Sequence, residues 1–288
     1  MRRFFVLSIA MIGLVVVAGQ AQAANVALFF NPTYVDTSPA PNGEATNLRD
    51  TLLALGFTVN TFTGITADAI SAATVGQQVL MYPELEVRDL SPDLDLNASF
   101  TIGFFVYNGG TLVVCNQADG DPLAVINKAF SGQAQPPNQV FQLTAVPVVP
   151  PYTRTSAANG TPFASGPATL PPNNIVSGVL KASLPAAAKI IYADANGNAV
   201  VVWIPNFGGV TGNGNVIVLG WDWFDATTTA NPGGQPSDEW NAVLNVAANF
   251  ASVPPVPTLS EWAMMAMAAL LLLVGLRTLR RGPRPAGV

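Results

Sequence analysis

Two apolar runs flanked by arginines bracket this chain and confine whatever folds as a globule to the residues between them. At the N-terminus Arg2 and Arg3 precede an apolar run from Phe4 to Ala18, which closes on Gly19-Gln20-Ala21-Gln22-Ala23. A basic start, a short apolar segment and an Ala-x-Ala site are the pattern of a secretory signal peptide, with cleavage after Ala23. At the other end Val256-Pro257-Thr258-Leu259-Ser260-Glu261-Trp262 leads into an unbroken apolar stretch, Ala263 to Leu276, and then Arg277, Arg280, Arg281 and Arg284. A helix over 262–279, with Arg277 snorkelling, is just able to cross a hydrocarbon core of about 30 Å and keeps its arginines on the cytoplasmic side. A buried core helix rarely carries apolar residues on every face and then a basic cluster. The expected organisation is a signal peptide at 1–23, an exported body at 24–253, and a linker with a membrane segment at 254–288.

The charges sort the same way. Arg2, Arg3, Arg277, Arg280, Arg281 and Arg284 make up half of the twelve Lys and Arg, while all seventeen Asp and Glu lie between Asp36 and Glu261. The exported body is therefore much more acidic than the net charge of −5 for the whole chain indicates. Such a surface repels phosphate backbones, which excludes nucleic acid as a partner, and attracts divalent cations. One cysteine, Cys115, leaves no intrachain disulfide to staple the fold, so stability has to come from a core.

Within the body, apolar runs alternate with helical patterns. Val26–Phe30, Phe57–Phe62, Val79–Tyr82 and Thr111–Cys115 read as strands. Glu44–Leu55, Thr66–Ala73, Leu96–Asn108 and Asp121–Phe130 read as the helices between them. Strands without a period of two argue for a mostly parallel sheet covered by helices on both faces, an α/β fold of flavodoxin type. Residues 131–185 are rich in Pro, Thr, Ala and Asn and read as an irregular or antiparallel insertion, with short strands at Val140–Leu143 and Ala145–Val149. Lys189–Ala193 and Ala199–Ile204 read as a hairpin about Asn196-Gly197-Asn198. Val216–Leu219 then leads into Gly220-Trp221-Asp222-Trp223-Phe224-Asp225, and Glu239–Phe250 reads as the last helix.

The order of short motif, apolar helix and arginine cluster resembles the IPTL-CTERM sorting signal, with Val256 and Ala263 standing where the usual pattern has Ile and Gly. The resemblance implies a Gram-negative source, passage through the Sec translocon and signal peptidase, and handling by an exosortase-type enzyme. It implies inner-membrane anchoring before processing, then the cell envelope, cell surface or extracellular matrix. The opening VALFF strand, the GGTLVV strand and the late Gly-Trp-Asp-Trp resemble the class I glutamine amidotransferase-like, or ThuA-like, superfamily. Active members use a Cys nucleophile on a tight strand-to-helix turn with a His base. Cys115 ends a strand before a helix, but in Val-Val-Cys-Asn-Gln-Ala-Asp-Gly, without flanking glycines.

This chain has no histidine. Ser-His-Asp and Cys-His mechanisms and His-ligated zinc are excluded within one chain. A carboxylate pair chosen from Glu84, Asp119, Asp121, Asp222 and Asp225 is what remains for an enzyme such as a glycosidase. Carboxylates that cap helices or face water are the plainer account of the same residues. Cys115 reads as a small core residue, and Trp221, Trp223, Phe224 and Trp240 as either core or a platform for sugar rings. Asp119 and Asp121 are weak candidates for a metal, lacking a full calcium-loop spacing. No phosphate-binding glycine loop is present.

The expectation is a non-catalytic exported protein of the cell envelope or exopolysaccharide matrix, with no cofactor. The alternatives are a secreted carbohydrate-active enzyme using two carboxylates and a sugar- or calcium-binding surface module. Ligands of open α/β sheets bind beyond the strand carboxyl ends. That rule makes Asn31, Glu84, Asn116 and Asp222 the candidate binding cluster, suited to a cation or a hydroxyl-rich sugar.

Overall fold

A computed structural model describes residues 24–116, 119–131, 142–207 and 214–250. The expected signal peptide, the expected membrane segment and the residues of the sorting motif lie outside the described residues, as do residues 140–141 of the strand expected at Val140–Leu143. Among the described residues no helix is long and apolar enough to cross a membrane.

The body is built on one sheet whose strands run in the order β2-β1-β3-β4-β11-β10-β9-β6-β7. β1 (Asn25–Phe29), β2 (Thr58–Phe62), β3 (Val79–Tyr82), β4 (Thr111–Cys115) and β11 (Gly214–Leu219) are all parallel to their neighbours in this group. β3, β4 and β11 are buried along their whole length, which is why VLMY, LVVC and VIVL are apolar runs without alternation. β2 is the exposed edge, and its polar TVNTF sequence shows it.

Beyond β11 the sheet turns antiparallel. β10 (Ala199–Phe207) pairs with β11 and with β9 (Lys189–Ala193), and β9 continues to β6 (Tyr152–Arg154) and β7 (Thr169–Leu170). β5 (Ala145–Pro147) pairs with β8 (Ser177–Val179), which touches β10 at Ala199. The sheet is thus mixed, and less parallel than the strand-helix alternation predicts. The physical reason lies in short connections such as Asn196-Gly197-Asn198, too short for the crossover that a parallel pair needs. Pairing of β10 with β11 shifts register between Ile204 and Phe207, where Pro205 has no N–H to give the ladder. Residues 142–143 of the strand expected at Val140–Leu143 are not in a strand, whereas the strand expected at Ala145–Val149 forms as Ala145–Pro147.

Helices cover both faces. α1 (Glu44–Ala54) and α5 (Asp238–Ala248) pack on one, where Leu48, Leu52, Val243 and Leu244 meet Val26, Val113 and Ile217. α2 (Ala67–Thr74), α3 (Leu96–Tyr107) and α4 (Asp121–Phe130) cover the other, where Ile70, Ala98, Ile102, Leu123 and Ile126 meet Leu80, Leu112 and Val114. Each fully buried aliphatic side chain of this kind contributes roughly 1.5–3 kcal/mol, and the two cores share the sheet between them. The Thr66 hydroxyl caps α2 by accepting from the Ala69 N–H at 3.3 Å, and Asp95 caps α3 through the Ala98 N–H at 2.7 Å. From β1 the chain passes to β2 on one side and then to β3 on the other. That reversal opens a crevice beyond the carboxyl ends of β1 and β3.

Candidate functional site: a carboxyl cluster at the strand ends

Chain segments leaving β3, β4 and β11 converge at this end of the sheet. Glu84 follows β3 through Pro83 and is 5% exposed; Asp222 follows β11 and is 0% exposed. Gly220 makes the approach possible, since a Cβ there would stand 2.3 Å from the Ser177 carbonyl oxygen and 2.6 Å from that of Val200. The turn that follows is strained. Trp223 has φ +69° and Asp225 φ +49°, a region that bulky residues rarely enter. Asp222 Oδ1 holds it by accepting the Phe224 N–H at 2.8 Å, and the Trp223 indole donates to Asn241 Oδ1 at 3.0 Å.

The Glu84 and Asp222 carboxyls are hydrogen-bonded to each other. Glu84 Oε2 and Asp222 Oδ2 are buried and meet no donor from another side chain or the backbone. Burial first, then the neighbouring Asp222 charge, pushes Glu84 far above the usual carboxylate range, which makes it the donor. Burial raises Asp222 as well, and the hydrogen bond from Glu84 opposes that rise. Two carboxyls in contact are too close for a glycosidase pair, which needs roughly 5 Å or more between them.

Around this pair stand Glu44, Glu86 and Asp36. Glu44 is the first residue of α1, is 2% exposed, and is pushed up to about 8 by burial, with its own backbone N–H opposing and Glu86, Asp222 and Asp36 adding to the rise. Glu86 is also raised, by partial burial and by Asp36. Ligand atoms of Asp36, Glu44 and Glu86 lie within 4.8 Å of one another. Among the described residues the salt bridges are Arg49–Asp50 and Arg88–Asp93, and neither reaches these five carboxyls. Sequence reasoning places Glu44 only as a helix residue and passes over Asp36 and Glu86. The signal available is an acidic first helical residue directly after the first strand's loop.

Cys115 lies at the end of β4, fully buried, and its thiol is pushed up by burial and by the nearby Asp222 and Glu84 charges. Asn116 is also fully buried, donating through Nδ2 to Ser177 Oγ at 2.9 Å and to the Gly178 carbonyl at 3.3 Å, with Oδ1 unpaired. Asn31 is on the rim but occupied locally, donating to the Thr63 carbonyl at 2.7 Å and accepting the Thr33 N–H at 2.9 Å. Of the four residues expected to cluster, Glu84 and Asp222 meet, while Asn116 ties the rim to β8.

The other candidates lie elsewhere or inside. Asp119 and Asp121 group with Asp89 at the start of α4, where burial and those charges push Asp121 up to about 6. Asp225 accepts from Asn231 Nδ2 at 2.8 Å within its own loop. Trp221, Trp223 and Trp240 are fully buried and pack ring against ring at 5.0 to 6.5 Å, so they are core and present no sugar platform. Two grooves lie away from the cluster. One runs between α2 and α3 beside Gln78 and Gly110, and the other lies between Leu53 of α1 and Thr227–Ala230.

Comparison with known proteins adds the terminal signal and the fold. No curated protein matches the sequence. The mmIFT52 N-terminal domain is 9% identical, with a TM-score of 0.54 over 81% of this chain and 99% of that one. A ThuA-like protein from Bacteroides uniformis is 10% identical over 81% of this chain and 92% of that one, at a TM-score of 0.48. A protein described as a GMP synthase component from Thermoplasma acidophilum is 12% identical over 80% and 97%, at 0.43. At such identity the likeness to the mmIFT52 domain is one of fold alone. Residues 254–281 match the IPTL-CTERM motif. The chain therefore ends in an IPTL-CTERM sorting signal, and its body is similar in fold to the mmIFT52 N-terminal domain.

Proposed function

We propose that this protein is exported through the Sec translocon, trimmed by signal peptidase and held in the inner membrane by residues 262–279. An exosortase-type enzyme then processes it and delivers it to the cell envelope or exopolysaccharide matrix, where the α/β body acts without catalysing a reaction. The IPTL-CTERM motif supports the itinerary. The observation that carries the non-catalytic part is the state of Cys115. Attack by a thiol needs a thiolate and a base, whereas this thiol is buried, raised by two neighbouring carboxyls, and part of a chain without histidine.

Paired cultures expressing the full chain and a chain ending at Ser252 test the itinerary. Retention or processing of the first at the envelope and release of the second supports it; identical fractionation contradicts it. Ammonia release from glutamine by the purified chain at a rate that Cys115→Ala abolishes contradicts the non-catalytic assignment. A carbohydrate-active enzyme is the second reading, and the contact between Glu84 and Asp222 weighs against it.

A further inference from the structure

We infer that Asp36, Glu44 and Glu86 form a calcium site at the mouth of the crevice beyond β1 and β3. Three carboxylates offer oxygen atoms within 4.8 Å of one another. Oxygen ligands about 2.4 Å from a calcium ion lie no more than about 4.8 Å apart, and the three groups meet that limit pair by pair. Proximity of acids alone is common on an acidic protein. What sets this group apart is Glu44, which is 2% exposed and whose Oε2 meets no donor. A buried carboxylate oxygen without a partner is costly unless a ligand completes it.

The backbone holds the three residues together before any ion arrives. The Ala45 N–H donates to the Asp36 carbonyl at 3.2 Å, and the Thr46 hydroxyl donates to the Thr37 carbonyl at 3.2 Å, so the loop after β1 is laced onto the first turn of α1. Gly43 permits the closeness, since a Cβ there would stand 2.0 Å from the Ser38 carbonyl oxygen. The Val87 N–H donates to the Tyr34 carbonyl at 3.2 Å and ties Glu86 to the same loop. Asp222 stands behind, fully buried, and adds negative potential without needing to touch the ion. Calcium suits a set of carboxylates drawn from loops, where the remaining positions are open to water, better than magnesium with its strict octahedron.

Calorimetric titration of calcium into the full-length chain in detergent, with melting curves alongside, reads this site. The expected result is saturable binding of one calcium per chain, with affinity in the range of about 10⁻⁴ to 10⁻³ M of extracellular modules, and a rise in Tm. Magnesium should bind more weakly by about tenfold or more. Glu44→Gln should weaken calcium by about tenfold or more. Because Glu44 is buried, an Asp36→Asn, Glu86→Gln double variant at accessible positions has to do the same with an unchanged circular dichroism spectrum. The site is overturned if wild type shows no saturable calcium heat and no melting shift, if magnesium binds equally well, or if the double variant binds calcium undiminished.

Discussion

Glu84, just past the end of β3, and Asp222, just past the end of β11, meet carboxyl to carboxyl over the end of the intervening β4, with Glu84 holding the proton. Two strands that do not pair with each other are thereby linked at their ends, close enough to Cys115 for both carboxyls to act on its thiol. The amidotransferase-like resemblance of the sequence puts a nucleophile at this corner. Here it holds a proton between acids.

Glutamine at position 84 retains a donor for Asp222. Glu84→Gln should therefore cost less than about 1 kcal/mol, whereas Asp222→Ala, which strands both the Glu84 proton and the Phe224 N–H, should cost about 1–3 kcal/mol. Urea midpoints for the two variants at neutral pH check the order. Equal losses contradict a Glu84 that carries the proton.

Raised carboxyls make stability fall with pH. Glu44 titrates near 4.5 when unfolded and at about 8 when folded, so the folded chain binds more protons between those values. Its contribution is fully present below about pH 4.5 and is lost as pH rises through about 8. The difference in unfolding free energy between wild type and Glu44→Gln should thus turn against wild type between about pH 5 and about pH 9 in the presence of a chelator. A pH-independent difference contradicts the buried position of this carboxyl.

Asn47 joins parts of the chain far apart in sequence, donating through Nδ2 to the Pro41 carbonyl at 2.8 Å and to the Trp223 carbonyl at 3.0 Å. Asn47→Ala leaves both carbonyls without that donor beside the strained turn at Trp223. A loss of about 1–3 kcal/mol is expected, measured by chemical denaturation.

Cys115 contributes packing. Cys115→Ala should cost on the order of 1 kcal/mol through a small cavity, and leave calcium binding as it is. Calorimetry and a denaturation curve on the same sample check both halves.

Much of the fold is legible in local sequence. VLMY and TLVVC are strands with the expected ends, and the first four helices begin within a residue of the expected start. These elements carry their signals in short windows. The antiparallel half is less legible because β6, β7 and β8 have only two or three residues each, below what periodicity can register. At the site, the strand-end rule finds Glu84 and Asp222 because it needs only the end of each strand. It misses Glu44, Asp36 and Glu86 because their meeting depends on how the loop after β1 folds back on α1, and the Gly43 contact with Ser38 that allows it has no local signature. Trp221 and Trp223 are ambiguous since the spacing that makes a platform also makes a core, and only the position of α5 decides between them.

The rate at which Cys115 reacts with iodoacetamide in the folded full-length chain tests the account most directly. A thiol fully buried and raised by Asp222 and Glu84 should react at neutral pH no faster than the chain unfolds, with full reactivity appearing only in denaturant. Rapid modification of the native protein at neutral pH contradicts the account, since it requires an exposed thiolate at the corner where this structure holds a proton between two acids.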